Sequence, residues 1–333
     1  MTGKPLRIGT RGSELALAQA TLVRDALRQA HPGLEVETRI IQTTGDKRLD
    51  LRLSAPESGG EKVPKGLFTK ELEAALLADE VDVAVHSLKD LPTDMPPELT
   101  WAATLAREPI EDVLVTKTPP PADASGLNFL PTGARVATSS VRRARLLHFY
   151  RPDIILEDIR GNVPTRLRKL AESETLVGTI LAFAGLHRLG LITPGGGRLP
   201  GPEGMELYGL VLPAKNFMPA VGQGAIGLQA RREDAATLAS LAAINHAETY
   251  TCALAERAFL RGLGGSCQTP VGVSCWIHGD LKEPDSMLNL RGIVFPEQSE
   301  AAPFRSGLFA SPTEAESLGQ RLAQEALAAL RNR

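Results

Sequence analysis

The chain has 333 residues, of which 43% are hydrophobic and 23% charged, and this composition excludes a disordered, collagen-like or coiled-coil protein. At roughly 100–200 residues per domain, this length predicts about two or three domains. The formal charge of −2 and the 4% aromatic content argue against a nucleic-acid partner.

Cysteine usage and the N-terminal residues bear on the cellular compartment. Cys252, Cys267 and Cys275 cannot all pair and lack C-x-x-C spacing, which favours a reducing environment. The first residues lack the apolar segment of a signal peptide, and no apolar run is long enough to span a membrane. We therefore expect a cytoplasmic protein without a membrane partner. Because the six histidines are scattered, we expect no metal site.

The first ninety residues alternate between strand and helix patterns. The periodicity predicts a strand over 5–10, a helix capped by Ser13, a strand over 35–43, a helix over 70–79 and a strand over 81–85. This alternation is typical of an α/β lobe with a largely parallel sheet.

The same order restarts after the prolines at 119–121. We predict a strand over 135–137, a helix over 140–150, a strand over 154–157, a helix over 162–171 and a strand over 178–184. The repetition indicates a duplicated architecture with a cleft between two lobes. Residues 193–204, rich in Gly and Pro, are predicted to form an exposed loop.

The remaining segments complete the predicted fold. A strand over 225–229 and a helix over 233–243 return to the first lobe, and a third unit starts with a long helix near 246. Strands near 271–277 and 287–294 and a helix after Pro312 follow. The expected fold class is α/β, with two similar lobes like those of periplasmic binding proteins, mixed and mainly parallel sheets, and a smaller α+β C-terminal domain. The predicted bounds are 1–105 with 225–243, 111–218, and 246–333.

Four polar loops follow predicted strands, where helix N-termini and backbone amides favour anions. They are Thr10–Ser13, His86–Asp90, Thr138–Ser140 and Arg160–Asn162. Between 135 and 169 there are nine Arg or Lys residues against three acids. Because Arg binds carboxylate or phosphate in a bidentate fork, a polyanionic ligand suits these loops, although solvated surface arginines are the alternative.

Three residues near these loops have a chemical and a structural interpretation. Asp90 is suited to act as an acid, a base or a counter-ion, or else to cap backbone amides before Pro92. Cys267 follows a Gly-rich stretch and is a candidate nucleophile, or else a structural thiol. His86 is a candidate general base or a packed, hydrogen-bonded residue, and Cys252 and Cys275 are expected in the core.

Seven segments, taken together, resemble the porphobilinogen deaminase family over nearly the whole chain. They are Arg7–Ser13, Lys65–Phe68, His86–Pro92, Thr138–Arg143, Arg160–Val163, Pro219–Gly224 and the Cys267 loop ending at Gly272. Ser266 and Ala137 stand where the family commonly has Gly. The stretch Ser54–Pro64 is longer than in compact members and leaves open whether Lys62 or Lys65 has the family's role.

The resemblance implies a tetrapyrrole-pathway transferase, a hydroxymethylbilane synthase. Such enzymes join four porphobilinogen molecules head to tail, release ammonia at each addition and hydrolyse the product to hydroxymethylbilane. The chain grows on a dipyrromethane cofactor, whose thioether matches Cys267. The family resemblance also implies a monomer.

The resemblance also implies roles for individual residues. Asp90 matches the catalytic carboxylate, which stabilises positive charge on the pyrrole nitrogen. The residues matched to the cofactor are Ser87, Lys89, Asp90, Thr138, Ser140, Arg142, Arg143, Asn162 and Arg166. Those matched to the substrate are Arg11, Ser13, Lys65, Phe68, Arg160, Arg166 and Gln223.

Two other classes of protein share part of this pattern. Solute-binding proteins and regulator effector domains also have duplicated α/β lobes, but they give Cys267 no role. A phosphate-handling transferase would use the helix N-termini, but the chain has neither G-x-x-x-x-G-K-[ST] nor G-x-G-x-x-G.

Overall fold

A computed structural model describes residues 4–47, 68–124, 126–265, 269–281, 283–296 and 302–331. Lys62, Lys65 and Cys267, for which the sequence predicts roles, lie outside the described residues. Within these ranges, no helix is both long and apolar enough to span a membrane.

The strands are numbered in chain order: β1 (Leu6–Thr10), β2 (Val36–Ile40), β3 (Val83–Ser87), β4 (Leu99–Thr104), β5 (Asp112–Thr116), β6 (Arg135–Ala137), β7 (Ile155–Glu157), β8 (Leu176–Ala182), β9 (Gly197–Pro200), β10 (Glu206–Leu212), β11 (Ile226–Arg231), β12 (Val271–His278), β13 (Met287–Val294) and β14 (Phe304–Ala310). The helices are α1 (Glu14–Ala30), α2 (Thr44–Lys47), α3 (Lys70–Leu77), α4 (Val141–Tyr150), α5 (Val163–Glu172), α6 (Phe183–Arg188), α7 (Ala235–Ala242), α8 (Ala247–Gly262) and α9 (Ala315–Arg331). Short 3-10 turns cover Leu88–Asp90, Pro202–Gly204 and Pro312–Glu314.

The first sheet has the spatial order β2-β1-β3-β11-β4. β1 pairs in parallel with β2 and β3, whereas β11 lies antiparallel between β3 and β4. The segment at 226–231 therefore returns to the first lobe, as the sequence predicts. Buried apolar residues on β1, β3, β11 and α1 form the core of this lobe.

The second sheet has the order β7-β6-β8-β5-β10-β9 and combines parallel and antiparallel pairs. The prediction of an exposed loop over 193–204 is wrong in part, because β9 pairs with β10 there. Leu199 on β9 is 1% exposed and packs beside Gly209, where a Cβ atom would lie 2.8 Å from the Leu199 side chain. Burial of this one leucine explains a strand in a Gly-rich segment.

The predicted strand over 178–184 also needs correction, since β8 ends at Ala182 and α6 begins at Phe183. Residues 183–186 are all buried. A short apolar run that is buried on every side does not distinguish strand from helix by its periodicity. This correction matters for the site, because α6 carries a side chain that lines the cavity.

The third sheet is antiparallel, in the order β12-β13-β14, and packs against α8 and α9. Their buried side chains form a separate core that contains Phe259 and Leu322. β14 was not predicted because its interior, Arg-Ser-Gly-Leu-Phe, has no regular alternation of apolar and polar residues, and only its end residues, Phe304 and Ala310, are buried. The expected fold class, two α/β lobes with mixed sheets and a smaller α+β unit, is confirmed. The sheets of the lobes are not mainly parallel as expected, because two of the four described strand pairs in the first sheet and three of the five in the second are antiparallel. The residue bounds of the domains stay a prediction.

Candidate functional site

A cavity of about 750 Å³ lies between the two lobes. The first lobe contributes residues at the carboxyl ends of β1 and β3 and at the start of α1. The second lobe contributes the beginning of α5 and residues of α6. Strand ends and helix N-termini direct backbone amides into this space, which favours anionic ligands.

The charges of the cavity wall are strongly unequal. Six cationic side chains line it: Arg11, Lys89, Arg143, Arg160, Arg166 and Arg188. Among the lining residues that the structure describes, Asp90 is the only carboxylate. A cavity with this lining is suited to a ligand with several carboxylates and one place where positive charge develops.

The position of Asp90 is set by the 3-10 turn that follows β3. Leu88 is 1% exposed and packs against Gly227 of β11, where a Cβ atom would lie 2.9 Å from its Cδ1. The buried leucine anchors the turn, and both polar residues that follow it, Lys89 and Asp90, line the cavity. Burial lowers the pKa of Lys89 to about 8, although the charge of Asp90 opposes this shift.

Arg142 and Arg143 lie in the first turn of α4. Ser140 caps this helix, since its hydroxyl accepts a hydrogen bond from the Arg143 backbone N–H over 3.4 Å. Both arginines donate to Asp112, which is fully buried, over 2.7 Å. Burial would raise the pKa of Asp112, but the two guanidinium groups hold it well below its usual range. Gln223 donates to the same carboxylate over 2.9 Å.

Some of the residues predicted for the site line the cavity, and others lie behind its wall. Arg143 lines the cavity, whereas Arg142 and Gln223 are 5% and 1% exposed and are not among its lining residues. Thr138 and Ser140 are also not among them, and the Thr138 hydroxyl accepts from the Ser140 backbone N–H over 3.2 Å. The predicted residues that line the cavity are Arg11, Ser13, Phe68, Ser87, Lys89, Asp90, Arg143, Arg160, Asn162 and Arg166.

The start of α5 supplies two of the cations. Asn162 caps this helix by accepting the Thr165 backbone N–H over 2.9 Å. Arg166 Nε donates to the Gly161 carbonyl over 2.8 Å, and burial lowers the pKa of Arg166 to about 10, so it stays charged at neutral pH. Arg160 donates to Asp158 over 3.0 Å, and its Nη2 is buried without a partner among the described residues.

Arg11 and two hydroxyl residues also line the cavity from the first lobe. The Arg11 guanidinium lies 4.3 Å from the centroid of the Phe68 ring, a cation–π contact. Ser13 caps α1 by accepting the Ala16 backbone N–H over 3.3 Å. The Ser87 hydroxyl accepts from Gln19 over 2.9 Å.

Sequence reasoning missed three residues of the site. Arg188 on α6 donates to the Gly224 carbonyl over 2.6 Å, and its Nε is buried without a partner in the described part of the chain. Gln19 carries no charge, and Asp112 begins a strand that was not predicted. The one available signal for Asp112 was an acid directly before the apolar run Val-Leu-Val.

The two described cysteines are core residues, as predicted. Cys252 and Cys275 are 7% and 5% exposed. Contact with Cys252, together with burial, raises the pKa of the Cys275 thiol. A raised pKa suppresses the nucleophilic thiolate of Cys275, so this thiol does not compete with Cys267 as a candidate nucleophile.

Comparison with known proteins covers nearly the whole chain. The family model for "Porphobilinogen deaminase, dipyromethane cofactor binding domain" matches residues 6–239, and that for "Porphobilinogen deaminase, C-terminal domain" matches residues 250–328. A porphobilinogen deaminase of Syntrophomonas wolfei is 43% identical over 97% of this chain and 95% of its own length. One of Syntrophobacter fumaroxidans is 42% identical over 98% of this chain and 96% of its own.

Among solved structures, the periplasmic VFT2 domain of Bordetella pertussis BvgS is similar, with a TM-score of 0.39 and 16% identity. The match covers 72% of this chain and 85% of that domain, and it is too distant to add to the fold described above. The two family models and the near full-length relatives are decisive instead. The chain belongs to the porphobilinogen deaminase family.

Proposed function

We propose that the chain is a transferase of tetrapyrrole biosynthesis, which joins four molecules of porphobilinogen into hydroxymethylbilane and releases ammonia at each addition. Membership in the porphobilinogen deaminase family supports this function. The main supporting observation is that, among the described residues that line the cavity, Asp90 is the one carboxylate beside six cations. We further propose that the protein is cytoplasmic and acts as a monomer on this small molecule.

The cations suit the charge of the substrate. Each porphobilinogen carries an acetate and a propionate, so a growing chain accumulates carboxylates. Arginine keeps its charge when desolvated and binds carboxylate through two parallel N–H donors. The residues that would bind these substrate carboxylates and shape their site are Arg11, Ser13, Lys65, Phe68, Arg160 and Arg166. Gln223, which does not line the cavity, would act indirectly through Asp112.

The described residues also fit a dipyrromethane cofactor. Nε of Arg143, Nη2 of Arg160 and Nε of Arg188 are buried without partners among the described residues. Buried donors normally have acceptors, which the carboxylates of such a group would provide. Cys267 would hold it, with contacts from Ser87, Lys89, Asp90, Arg143, Asn162 and Arg166. Thr138, Ser140 and Arg142 do not line the cavity and would position these contact residues from behind its wall. When bound, the group supplies the pyrrole carbon to which the first substrate unit is joined.

Asp90 has the role that the charge pattern requires. Loss of ammonia from porphobilinogen and attack by the terminal pyrrole both place positive charge on a pyrrole nitrogen. A fixed carboxylate stabilises this charge and accepts the pyrrole N–H. The same oxygen atoms can pass a proton to the departing amine.

The direct test is incubation of the purified protein with porphobilinogen. We expect release of four molecules of ammonia for each hydroxymethylbilane formed. A protein that binds porphobilinogen without releasing ammonia would be a binding protein, and the proposal would be wrong.

Attachment of the cofactor has its own test. The intact mass of the purified protein should exceed the sequence mass by one dipyrromethane, and the Cys267→Ser variant should lack this increment. A Cys252→Ser variant is the matched control and should keep it. An unchanged increment in Cys267→Ser would place the attachment elsewhere.

A further inference from the structure

His86 lies on β3, four residues before Asp90, and has no role in the function proposed above. It is 5% exposed and lines the cavity. Its Nε2 lies 3.1 Å from Oε1 of Gln229, which is fully buried on the neighbouring strand β11. Ala84, opposite Gln229 in the register, is two residues from His86, so both side chains occupy the same face of the sheet.

The amide orientation of Gln229 is determined by a second contact. Gln229 Nε2 donates to Oε1 of Glu73 on α3 over 3.1 Å. Because this carboxylate oxygen accepts, the amide nitrogen of Gln229 faces Glu73 and its oxygen faces His86. An amide oxygen also only accepts, so the proton on the His86 ring must be on Nε2.

The other ring nitrogen then becomes an acceptor. Nδ1 of His86 has no hydrogen-bond partner among the described residues, and this atom is not fully buried. The exposed part of the residue therefore includes this nitrogen. Burial, together with the charges of Arg11 and Arg257, lowers the pKa of His86 to about 4 against the opposing effect of the Gln229 bond. The ring is neutral at neutral pH.

A neutral acceptor is unusual on this wall, where most charged groups are cations. Carboxylates of the ligand are acceptors too and cannot pair with an unprotonated Nδ1. The complementary groups on porphobilinogen are its N–H donors, the pyrrole nitrogen and the aminomethyl group. We infer that His86 is a substrate-binding residue whose Nδ1 accepts a hydrogen bond from an N–H of porphobilinogen, in the tautomer that Gln229 and Glu73 fix. This inference rests on the proposed function.

The tautomer can be measured without any turnover. Protein labelled with ¹⁵N in its histidine rings should show His86, assigned with a His86→Gln variant, with a protonated Nε2 and an unprotonated Nδ1 at pH 7. Gln229→Leu removes the partner and should give a mixture of tautomers. A charged ring, or a proton on Nδ1, in the unsubstituted protein would overturn the inference.

Two substitutions separate the ring nitrogens in steady-state kinetics. In His86→Gln, the new amide lies near the former position of Nε2 and keeps the contact with Gln229. No acceptor remains at the former position of Nδ1. We expect the KM of this variant for porphobilinogen to rise about threefold to tenfold, the value of one hydrogen bond, with a smaller change in kcat. Asn places an acceptor near the position of Nδ1, so we expect the KM of His86→Asn to rise less than that of His86→Gln.

The control is His148→Gln, because His148 is exposed on α4, and its KM should not change. An unchanged KM in His86→Gln would show that Nδ1 does not contact the substrate. Absence of turnover in the unsubstituted protein would instead contradict the proposed function, so the two failures are distinguishable.

Discussion

Lys89 and Asp90 place opposite charges side by side on the cavity wall. Burial lowers the pKa of Lys89 to about 8, so this amine is charged at neutral pH and loses its proton as the pH rises through that value. Deprotonation removes one of the cations that line the described part of the cavity, where a carboxylate-bearing substrate would bind. The residue therefore connects burial to a pH dependence of binding.

We predict that KM for porphobilinogen rises between pH 7 and pH 9 in the unsubstituted protein. Lys89→Arg retains its charge over this range and should show a flatter profile, whereas Lys89→Met should have a raised KM already at pH 7. The measurement is KM against pH for the three proteins. Identical slopes for the unsubstituted protein and Lys89→Arg would contradict the assignment to Lys89.

At the scale of elements, Asp112 at the start of β5 holds α4 in place. It accepts from Arg142 and Arg143 on that helix and from Gln223 in the segment before β11. One buried carboxylate therefore fixes the position of Arg143, which lines the cavity. Breaking a buried pair leaves uncompensated charge, which is far more destabilising than loss of an exposed pair.

We predict that Asp112→Asn lowers the free energy of unfolding by about 3–5 kcal/mol, measured by urea denaturation. Glu206→Gln breaks the exposed Arg198–Glu206 pair and, as the control, should cost about 1 kcal/mol or less. Because the pKa of Asp112 is lowered by folding, its contribution is complete above the unfolded pKa of about 4 and is lost as the pH falls. Equal costs for the two variants would contradict this account.

At the scale of the whole molecule, Glu256 on α8 connects the parts of the chain. Arg107, in the segment from the first sheet to the second, donates to both its carboxylate oxygens over 2.8 and 2.9 Å. The same carboxylate accepts the Gly222 backbone N–H from the return segment and the Cys275 backbone N–H from β12. The fully buried side chain of Glu256 thus connects both chain segments that run between the lobes to the third sheet.

We predict that Glu256→Gln lowers the melting temperature substantially, because Arg107 would keep a buried charge without a carboxylate. Differential scanning calorimetry measures the change. The control is Glu316→Gln, which breaks the exposed Arg261–Glu316 pair and should leave the melting temperature nearly unchanged. A Glu256→Gln protein that melts like this control would show that the buried cluster does not stabilise the assembly of lobes.

The sequence could predict features that depend on local pattern. The cap Ser13, the helix starts near Ser140 and Asn162, and the loop containing Asp90 were identified because strand, turn and helix signals lie next to each other in the chain. Asp112 and Arg188 depend on distant partners, since Asp112 accepts from Gln223, 111 residues away, and Arg188 donates to Gly224, 36 residues away. β9 depends on its pairing with β10. Such contacts leave no local periodicity, and only the fold brings them together.

We propose that Asp90 is the carboxylate that performs the chemistry in the cationic cavity, and the Asp90→Asn variant probes this role. Asn has nearly the same shape and removes only the charge. We predict that the rate of ammonia release from porphobilinogen falls about 10²–10³-fold while the melting temperature is retained. A variant that releases ammonia at the unsubstituted rate would contradict the claim.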